Sequence, residues 1–257
     1  MPYEYFDMIV CITLKENVER QQSFVKQMQI AGITNYEFFR VDRHPEGGKK
    51  GCFDSHVRVW EYALSRGMEK ILVFEDDTVV TPAYSVDVVQ ECVEFMKTNE
   101  WMYFSFVTST TLWNDVHINF WSMLTTPRIS RNVIQYIGFL TNAYCISKDG
   151  MQFILNTAKY ELLKDSSTID HVDAFLVKIF PIKYVFSTIP TLFDQNWCFD
   201  TDNDFGSAFI YLRHFANCFF KFTYNLSVLA FHRDRIVLFI LFFLFFVIVC
   251  IILLNSR

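Results

Sequence analysis

Three consecutive carboxylates, Glu75, Asp76 and Asp77, are the residues of this chain whose types and spacing most clearly indicate chemistry. They follow directly on an apolar run over 70–74 that predicts a strand. A continuous apolar run of this kind is typical of a central parallel strand that is covered on both faces. Because ligands of open α/β sheets gather at the carboxyl ends of such strands, the three carboxylates mark a candidate site.

The acidic cluster predicts a metal site. Adjacent carboxylates repel one another and resist desolvation unless a cation or solvent compensates them. A hard divalent ion, Mn²⁺ or Mg²⁺, held by carboxylate oxygens together with a substrate diphosphate would provide that compensation. Strand alternation places Glu75 and Asp77 on one side of the strand and turns Asp76 away, unless the chain bends there. A solvated turn is the plain alternative for three acidic residues after a strand.

A second motif, GCFDSH, begins at Gly51 and precedes the strand by one helix. We expect the glycine-rich stretch before it to be a loop, and Asp54 or Ser55 to cap the helix through a side-chain oxygen. His56 then falls in the first helical turn. A packed or capping histidine is the alternative to a role for His56 in ligand binding.

The GCFDSH motif and the EDD cluster, joined through one helix, closely resemble glycosyltransferase family 25, which includes lipopolysaccharide-type sugar transferases and procollagen galactosyltransferases. Further matches to the family extend over 7–196. They are Leu14 and Arg20 after the first strand, the Val-Asp pair at 41–42, the Gly-led Ala-Tyr-x-Ile-Ser strand at 138–147, the Val-Asp helix start at 172–173 and the segment that contains Gln195. The chain departs from the family pattern at Thr13, where Asn is usual, at Glu16, where a basic residue is usual, and at Arg43, where Gly is usual.

The resemblance implies a fold and a reaction. The fold is a three-layer α/β/α domain of the nucleotide-diphospho-sugar transferase (GT-A) type. The reaction moves a sugar, with galactose as the family default, from a UDP-sugar or other nucleotide-diphosphate donor to an acceptor hydroxyl on a glycan or protein, with inversion. Mn²⁺ or Mg²⁺ acts as a Lewis acid at the leaving diphosphate.

The resemblance also suggests roles for single residues. Glu75 and Asp77 are the predicted metal ligands. The predicted donor-binding residues are Thr13, Arg20, Asp42, Ser55, His56 and Asp76. For Arg20, a surface salt bridge is an equally good interpretation. Inversion requires a general base, for which we predict Asp173, since a carboxylate at a helix start can stay ionised beside the acceptor. Its neighbour Asp170 can take either role, and a helix cap is the alternative for Asp173.

Alternating strands and helices are predicted along the rest of the chain. We expect strands over 7–14, 36–41, 101–107 and 143–147, and helices over 19–31 and 85–97, from Met151 onward, and from the Val-Asp pair at 172–173. The stretch 108–131 lacks periodicity and is a candidate acceptor-side loop. The predicted domains are a catalytic domain over 1–204, an aromatic juxtamembrane segment over 205–235 and a transmembrane helix over 236–254.

The transmembrane prediction rests on the segment 236–254, which contains no charge, Pro or Gly. At about 1.5 Å per residue its roughly 19 residues span about 28 Å, close to the hydrocarbon core of a bilayer. With three residues after it, we expect a tail anchor. His232, Arg233 and Arg235 precede the span, which predicts a cytosolic catalytic domain. The aromatic stretch before them is either an interfacial helix or a last helix packed on the domain.

Composition limits the remaining possibilities. The net charge of −5 argues against nucleic acid as a partner. The seven cysteines show no CxxC spacing and predict neither a zinc site nor a disulfide framework, so most are expected to be small buried residues. Two alternatives to the transferase stay open. One is an inactive, membrane-tethered binding module that keeps the fold; the other is a hydrolase that uses the acidic cluster on phosphate esters.

Overall fold

The computed structural model describes residues 1–108, 126–138, 140–157, 172–196, 228 and 231–233. These residues form nine strands, numbered here along the chain. The strands are β1 (Met8–Leu14), β2 (Glu37–Val41), β3 (Lys70–Glu75), β4 (Thr78–Val80), β5 (Tyr103–Ser105), β6 (Val133–Ile134), β7 (Ala143–Ser147), β8 (Val185–Thr188) and β9 (Phe193–Gln195). The α-helices within the same ranges are α1 (Val18–Ala31), α2 (Gly48–Ser65), α3 (Val86–Thr98), α4 (Lys148–Asn156) and α5 (Val172–Ile179). Two short 3₁₀ helices cover Pro2–Tyr5 and Ile182–Tyr184.

Seven of the strands form one mixed sheet in the order β2-β1-β3-β7-β5-β8-β6, and β4 pairs with β9 in a separate antiparallel ribbon. The central position predicted for β3 is confirmed, since it lies between β1 and β7. The prediction that it is a parallel strand is half right: β3 runs parallel to β1 but antiparallel to β7. Burial on both faces, and not strand direction, produces the continuous apolar run, because the same run suits either kind of neighbour.

Helices cover both faces of the sheet, which confirms the three-layer arrangement. Leu72 and Phe74 point into a core that includes residues of α1 and α3. Ile71 and Val73 point to the other side, into a core that includes residues of α2, α4 and α5. All four side chains are fully buried, as expected for alternating residues of a strand enclosed by two helical layers.

The start of α2 differs from the prediction. The helix begins at Gly48, so the expected loop before the GCFDSH motif is helical and the cap at Asp54 or Ser55 is wrong. Ser55 lies inside the helix, where its Oγ donates a 2.5 Å hydrogen bond to the carbonyl of Gly51. His56 is therefore in the middle of α2 and not in its first turn.

A close contact explains the glycine inside this helix. A Cβ at Gly51 would lie 2.9 Å from the Cβ of His44, so only glycine lets α2 pass this close to the preceding loop. Glycine in a helix costs about 1 kcal/mol relative to alanine. Burial of Phe53, Val57 and Trp60 on the core face of α2 outweighs that cost, because fully burying one such side chain is worth roughly 1.5–3 kcal/mol.

Most other predicted elements agree with the structure to within two residues. The first two strands, α1, α3 and the Ala-Tyr-x-Ile-Ser strand are confirmed, and Gly32 ends α1 in the left-handed conformation (φ 70°). The helix expected from Met151 begins earlier, at Lys148, where Ser147 Oγ caps it by accepting from the Gly150 amide. The Val-Asp pair begins α5 as expected.

Several predictions fall outside the described residues. These include Asp170, most of the candidate acceptor loop, most of the aromatic segment 205–235 and the whole span 236–254. In the ranges that the structure describes, no helix has both the length and the apolar character needed to cross a bilayer. The transmembrane helix therefore stays a prediction. Just before it, Arg233 Nη1 donates a 2.8 Å hydrogen bond to the carbonyl of Thr126, so these residues contact the domain.

Candidate active site at the carboxyl end of β3

A cavity of about 120 Å³ lies where the parallel strands β1 and β3 end beside α2. Strand direction explains its position, since parallel neighbours bring the residues at their carboxyl ends to one edge of the sheet. The structure brings eight of the predicted site residues to its wall: Thr13, Arg20, Asp42, Ser55, His56, Glu75, Asp76 and Asp77. Two others, Asp170 and Asp173, are not among the described lining residues.

Arg20 of α1 bridges two of the carboxylates. Its Nη2 lies 2.5 Å from Asp76 Oδ1 and 2.9 Å from Asp77 Oδ2. The Arg20 side chain is only 13% exposed, and those of Asp76 and Asp77 are 4% and 7% exposed. The interaction is thus a buried ion pair and not the surface salt bridge that the sequence also allowed. The chain turns after β3, so Asp76 faces the same site as Asp77.

Amide and hydroxyl groups complete the surroundings of these two carboxylates. Asp77 accepts a 2.6 Å hydrogen bond from Asn142 Nδ2 and a 3.0 Å bond from Gln195 Nε2. Asp76 accepts a 2.6 Å bond from Thr13 Oγ1. Burial nevertheless raises the pKa of Asp77 to about 7 against the opposing effect of Arg20, and the neighbouring carboxylates add to the increase. The cost of burying the charged Asp77 carboxylate therefore outweighs the stabilisation that the Arg20 guanidinium gives it.

Glu75 faces a different set of groups. Its Oε1 accepts a 2.5 Å hydrogen bond from Thr141 Oγ1 and lies 3.5 Å from His56 Nε2. Burial acts to raise the pKa of Glu75, but the interactions with His56 and Thr141 outweigh it, so this pKa lies below its ordinary value. Glu75 is accordingly ionised in the folded protein at neutral pH.

His56 is completely buried between Glu75 and an aromatic pair. Its Nδ1 lies 2.8 Å from the hydroxyl of Tyr144, which also accepts a 3.0 Å hydrogen bond from Trp60 Nε1. The other ring nitrogen, Nε2, makes no hydrogen bond in the described structure. His56 forms one group with Cys52 and Glu75, in which a ring nitrogen, the thiol sulfur and a carboxylate oxygen all lie within 4.8 Å of one another.

Asp173 lies next to the site but does not line the cavity. Its Oδ1 accepts a 2.7 Å hydrogen bond from the Ala174 amide, and its Oδ2 accepts a 3.2 Å bond from the amide of Leu140. Leu140 has a φ of 80°, a left-handed conformation that is uncommon for a leucine. Because the two residues after Leu140 are those that bond Glu75 and Asp77, Asp173 supports the segment that holds both carboxylates. Its role as a base stays a prediction.

Sequence reasoning gave no role to several groups of this site. They are Cys52, Thr141, Asn142, Tyr144 and Gln195. The spacing of Cys52 and His56 was an available signal, since residues four apart lie on one face of a helix. The amides of Asn142 and Gln195 carried no such signal, because they reach Asp77 only through the pairing of β7 with β3 and of β9 with β4. Cys52 is half-buried, unlike the fully buried Cys11, Cys92 and Cys145 that fit the expectation for cysteines.

Comparison with known families places this site in context. A family model described as glycosyltransferase family 25 (LPS biosynthesis protein) matches residues 6–171, about two-thirds of the chain, including the whole GCFDSH and EDD region. The chain belongs to glycosyltransferase family 25. The resemblance predicted from its motifs is thereby confirmed.

Individual relatives are distant. The lacto-N-neotetraose biosynthesis glycosyltransferase LgtB of Neisseria meningitidis serogroup B is 24% identical over 166 residues, which cover 61% of this chain and 52% of LgtB. The chain thus spans about half the length of this bacterial relative. A human protein named inactive glycosyltransferase 25 family member 3 is 34% identical over 55 residues, 21% of this chain and 9% of that protein. Among solved structures, one similar chain is a mutant Drosophila β-1,4-galactosyltransferase 7 complexed with manganese, UDP-Gal and xylobiose. The two chains share 8% identity with a TM-score of 0.43, and the match covers 80% of this chain and 78% of the galactosyltransferase.

Proposed function

We propose that this family 25 protein transfers a sugar from a nucleotide-diphosphate donor to an acceptor hydroxyl on a glycan or protein, with a domain of the GT-A type. The donor is a UDP-sugar, the sugar is galactose, and the anomeric centre is inverted. The observation that carries the proposal is the convergence of three carboxylates and one buried guanidinium on a cavity at the carboxyl end of β3. A diphosphate would be repelled by this cluster unless a divalent cation lay between them.

The residues present fit Mn²⁺ or Mg²⁺. Carboxylate oxygens are the ligands that these hard cations prefer. Asp77 Oδ1 accepts one hydrogen bond, from Asn142, and a carboxylate oxygen has two lone pairs. Glu75 Oε1 receives the described contacts from Thr141 and His56, which leaves Oε2 for the cation. Burial, followed by the neighbouring carboxylates, raises the pKa of Asp77, and a bound cation would oppose both effects. When bound, the cation would neutralise charge on the leaving diphosphate.

The chain's own residues then have distinct tasks. Arg20 fixes the positions of Asp76 and Asp77, and Thr13 holds Asp76 from the other side. Asp42 is exposed at the cavity wall, paired with Lys15 at 2.8 Å. With Ser55 and His56, these groups are the proposed donor contacts. Asp173 is the proposed base, with Asp170 as its alternative.

Screening nucleotide-sugars by thermal shift, with and without Mn²⁺, tests the proposal. We expect UDP-galactose with Mn²⁺ to raise the Tm. Asp77→Asn should abolish this shift and sugar transfer while the protein stays folded, because a ligand charge is lost. Asp149→Asn is the matched control, since Asp149 is exposed at the start of α4. If Asp77→Asn transfers sugar as fast as Asp149→Asn, the metal assignment is wrong.

The same screen separates the transferase from the inactive alternative. A functioning enzyme is expected to release UDP from its donor, slowly by hydrolysis without an acceptor and faster with one. If a donor binds but neither transfer nor hydrolysis follows, the tethered binding module becomes the better description. Release of phosphate from simple phosphate esters would instead favour the hydrolase.

We also propose that the protein is membrane-bound through 236–254, with the catalytic domain in the cytosol. The support is the apolar composition of that segment and the positive charge of His232, Arg233 and Arg235 on its domain side. A variant without 235–257 should move from the membrane pellet to the supernatant. If it stays in the pellet after a high-salt wash, this segment is not the anchor.

A further inference from the structure

Cys52, His56 and Glu75 form a cluster beside Asp76 and Asp77, the two carboxylates that Arg20 contacts. Cys52 and His56 lie one turn apart on the same face of α2, and Glu75 ends β3 opposite them. The thiol sulfur, a ring nitrogen and a carboxylate oxygen all lie within 4.8 Å of one another. All three residues line the cavity, so the cluster is open to small solutes.

The orientation of His56 is the second observation. The ring is completely buried, and its Nε2 has no hydrogen-bond partner in the described structure. The polar atom that faces Nε2 is Glu75 Oε1, 3.5 Å away. The ring is nevertheless held in place at its other nitrogen by the Tyr144 hydroxyl, 2.8 Å from Nδ1. Metal-binding histidines are typically held in this way, with one nitrogen on the metal and the other on a fixed partner.

We propose that Cys52 Sγ, His56 Nε2 and Glu75 form a binding site for a zinc-class divalent ion, with its fourth position open to the cavity. The ligand set decides the class of metal, since sulfur and imidazole favour Zn²⁺ and similar ions over Mg²⁺ and Mn²⁺. This site is distinct from the proposed donor-metal site but shares Glu75 with it.

The geometry is close to what such an ion requires. Tetrahedral bonds of about 2.0–2.3 Å place neighbouring ligand atoms about 3.5 Å apart. His56 Nε2 and Glu75 Oε1 already lie 3.5 Å apart. The Cys52 sulfur lies within 4.8 Å of the other two ligand atoms. Rotation of the half-buried Cys52 side chain can shorten these distances, and it leaves the helix unchanged.

Protons balance in this binding step. The thiol proton of Cys52 leaves to solvent, so one proton is released as the sulfur–metal bond forms. With the ion bound, His56 would carry one proton, on Nδ1, and donate it to the Tyr144 oxygen, while Nε2 gives its lone pair to the ion. The Tyr144 oxygen has two lone pairs and can accept from both His56 and Trp60.

One consequence rests on the proposed function. An ion at this site would hold Glu75 away from the donor metal, so Zn²⁺ should inhibit transfer even when Mn²⁺ is present. Ion binding itself does not depend on transferase activity.

Titration of the chelator-treated full chain with Co²⁺ tests the site directly, because a cobalt–thiolate bond gives an intense near-ultraviolet charge-transfer band. We expect the band in the wild type and in Cys92→Ala, whose cysteine is buried in α3 on the other face of the sheet. Cys52→Ala should lose the band completely, and Tyr144→Phe should weaken Co²⁺ affinity by roughly 10- to 100-fold. A wild type without the band, or a Cys52→Ala that keeps it, overturns the proposal.

A second measurement uses only the wild type, so its result does not depend on whether the variants fold. Alkylation of Cys52, followed by peptide mass spectrometry, should slow at least tenfold with Zn²⁺ and stay unchanged with Mg²⁺. Equal labelling with both ions overturns the site. A thermal shift with UDP-galactose and Mn²⁺ reports on the donor site separately, so failure of one proposal is distinguishable from failure of the other.

Discussion

Asp77 and Glu75 lie two residues apart at one strand end, yet their surroundings differ in kind. Around Asp77, a guanidinium and two amides contact the carboxylate directly. Around Glu75, one hydroxyl bonds the carboxylate, and an imidazole nitrogen without a hydrogen bond lies beside it. We refer to these as the Asp77 side and the Glu75 side of the site.

The difference follows from the elements that approach each residue. α1 and β9 bring Arg20 and Gln195 to the Asp77 side, whereas α2 brings His56 and Cys52 to the Glu75 side. Identical carboxylate chemistry thus acquires two environments, one suited to a hard cation and one that includes soft ligands. Charge on a strand end predicts a site, but its neighbours decide which ion the site prefers.

Removing Arg20 should produce the largest effect, because it leaves two buried carboxylates on the Asp77 side without their cation. We expect Arg20→Ala to lower the free energy of unfolding by about 3–5 kcal/mol in metal-free buffer. Arg43→Ala is the matched control, since Arg43 pairs with Glu16 at the surface and such pairs contribute about 0–1 kcal/mol. Urea unfolding of both variants measures the difference. Equal stability of the two would mean that the Arg20 pair is not a strong interaction.

Asp173→Asn tests the residue that supports the backbone segment from which both Glu75 and Asp77 receive hydrogen bonds. If Asp173 is the base, turnover should fall by roughly 10²-fold or more while donor affinity hardly changes. If it only holds the backbone of Leu140 and the start of α5, turnover should stay near wild type, because Asn keeps an acceptor oxygen. Measuring donor affinity and transfer rate on this one variant decides between the two. Loss of both together would place Asp173 at the metal or nucleotide, and Asp170 would be the next candidate base.

Tyr144→Phe tests the Glu75 side. Removing the hydroxyl leaves His56 Nδ1 and Trp60 Nε1 buried without their partner, so we expect a loss of about 1–3 kcal/mol in unfolding free energy. Tyr62→Phe is the control, since the Tyr62 hydroxyl makes an exposed 3.4 Å contact with Arg66 and its loss should change stability by less than about 0.5 kcal/mol. Urea unfolding gives both values. A Tyr144→Phe variant as stable as the control would show that His56 does not need this partner.

The last prediction is an opposite pH dependence of stability on the two sides. The pKa of Asp77 is raised in the folded state, so its contribution to stability is present below its ordinary value of about 3.9 and is lost as pH rises toward about 7. The pKa of Glu75 is lowered, so its contribution is present above about 4.3 and is lost as pH falls. Without metal, the wild type should therefore lose stability relative to Asp77→Asn as the pH rises from about 4 to about 7. Parallel unfolding curves for the two proteins over this range would contradict the raised pKa.

Much of the fold could be predicted from local pattern. The apolar run of β3 and the glycine after α1 each depend on a few neighbouring residues, and both elements are where the sequence indicated. The start of α2 could not be predicted in this way. Its glycines resemble a loop in sequence, but Gly51 serves a contact with His44 that only the folded chain contains.

The sequence by itself determined the family, the acidic strand end and the GCFDSH helix, because these depend on residue types at short, fixed spacings. Tertiary structure decided how the carboxylates are used. The turn after β3, the approach of Arg20 and the amides of Asn142 and Gln195 depend on contacts between residues 50 to 120 positions apart, about which local pattern carries no information. For the same reason, only the fold brings Glu75 to the cysteine and histidine of α2, because hydrogen bonding and packing across the sheet set the distance between β3 and that helix.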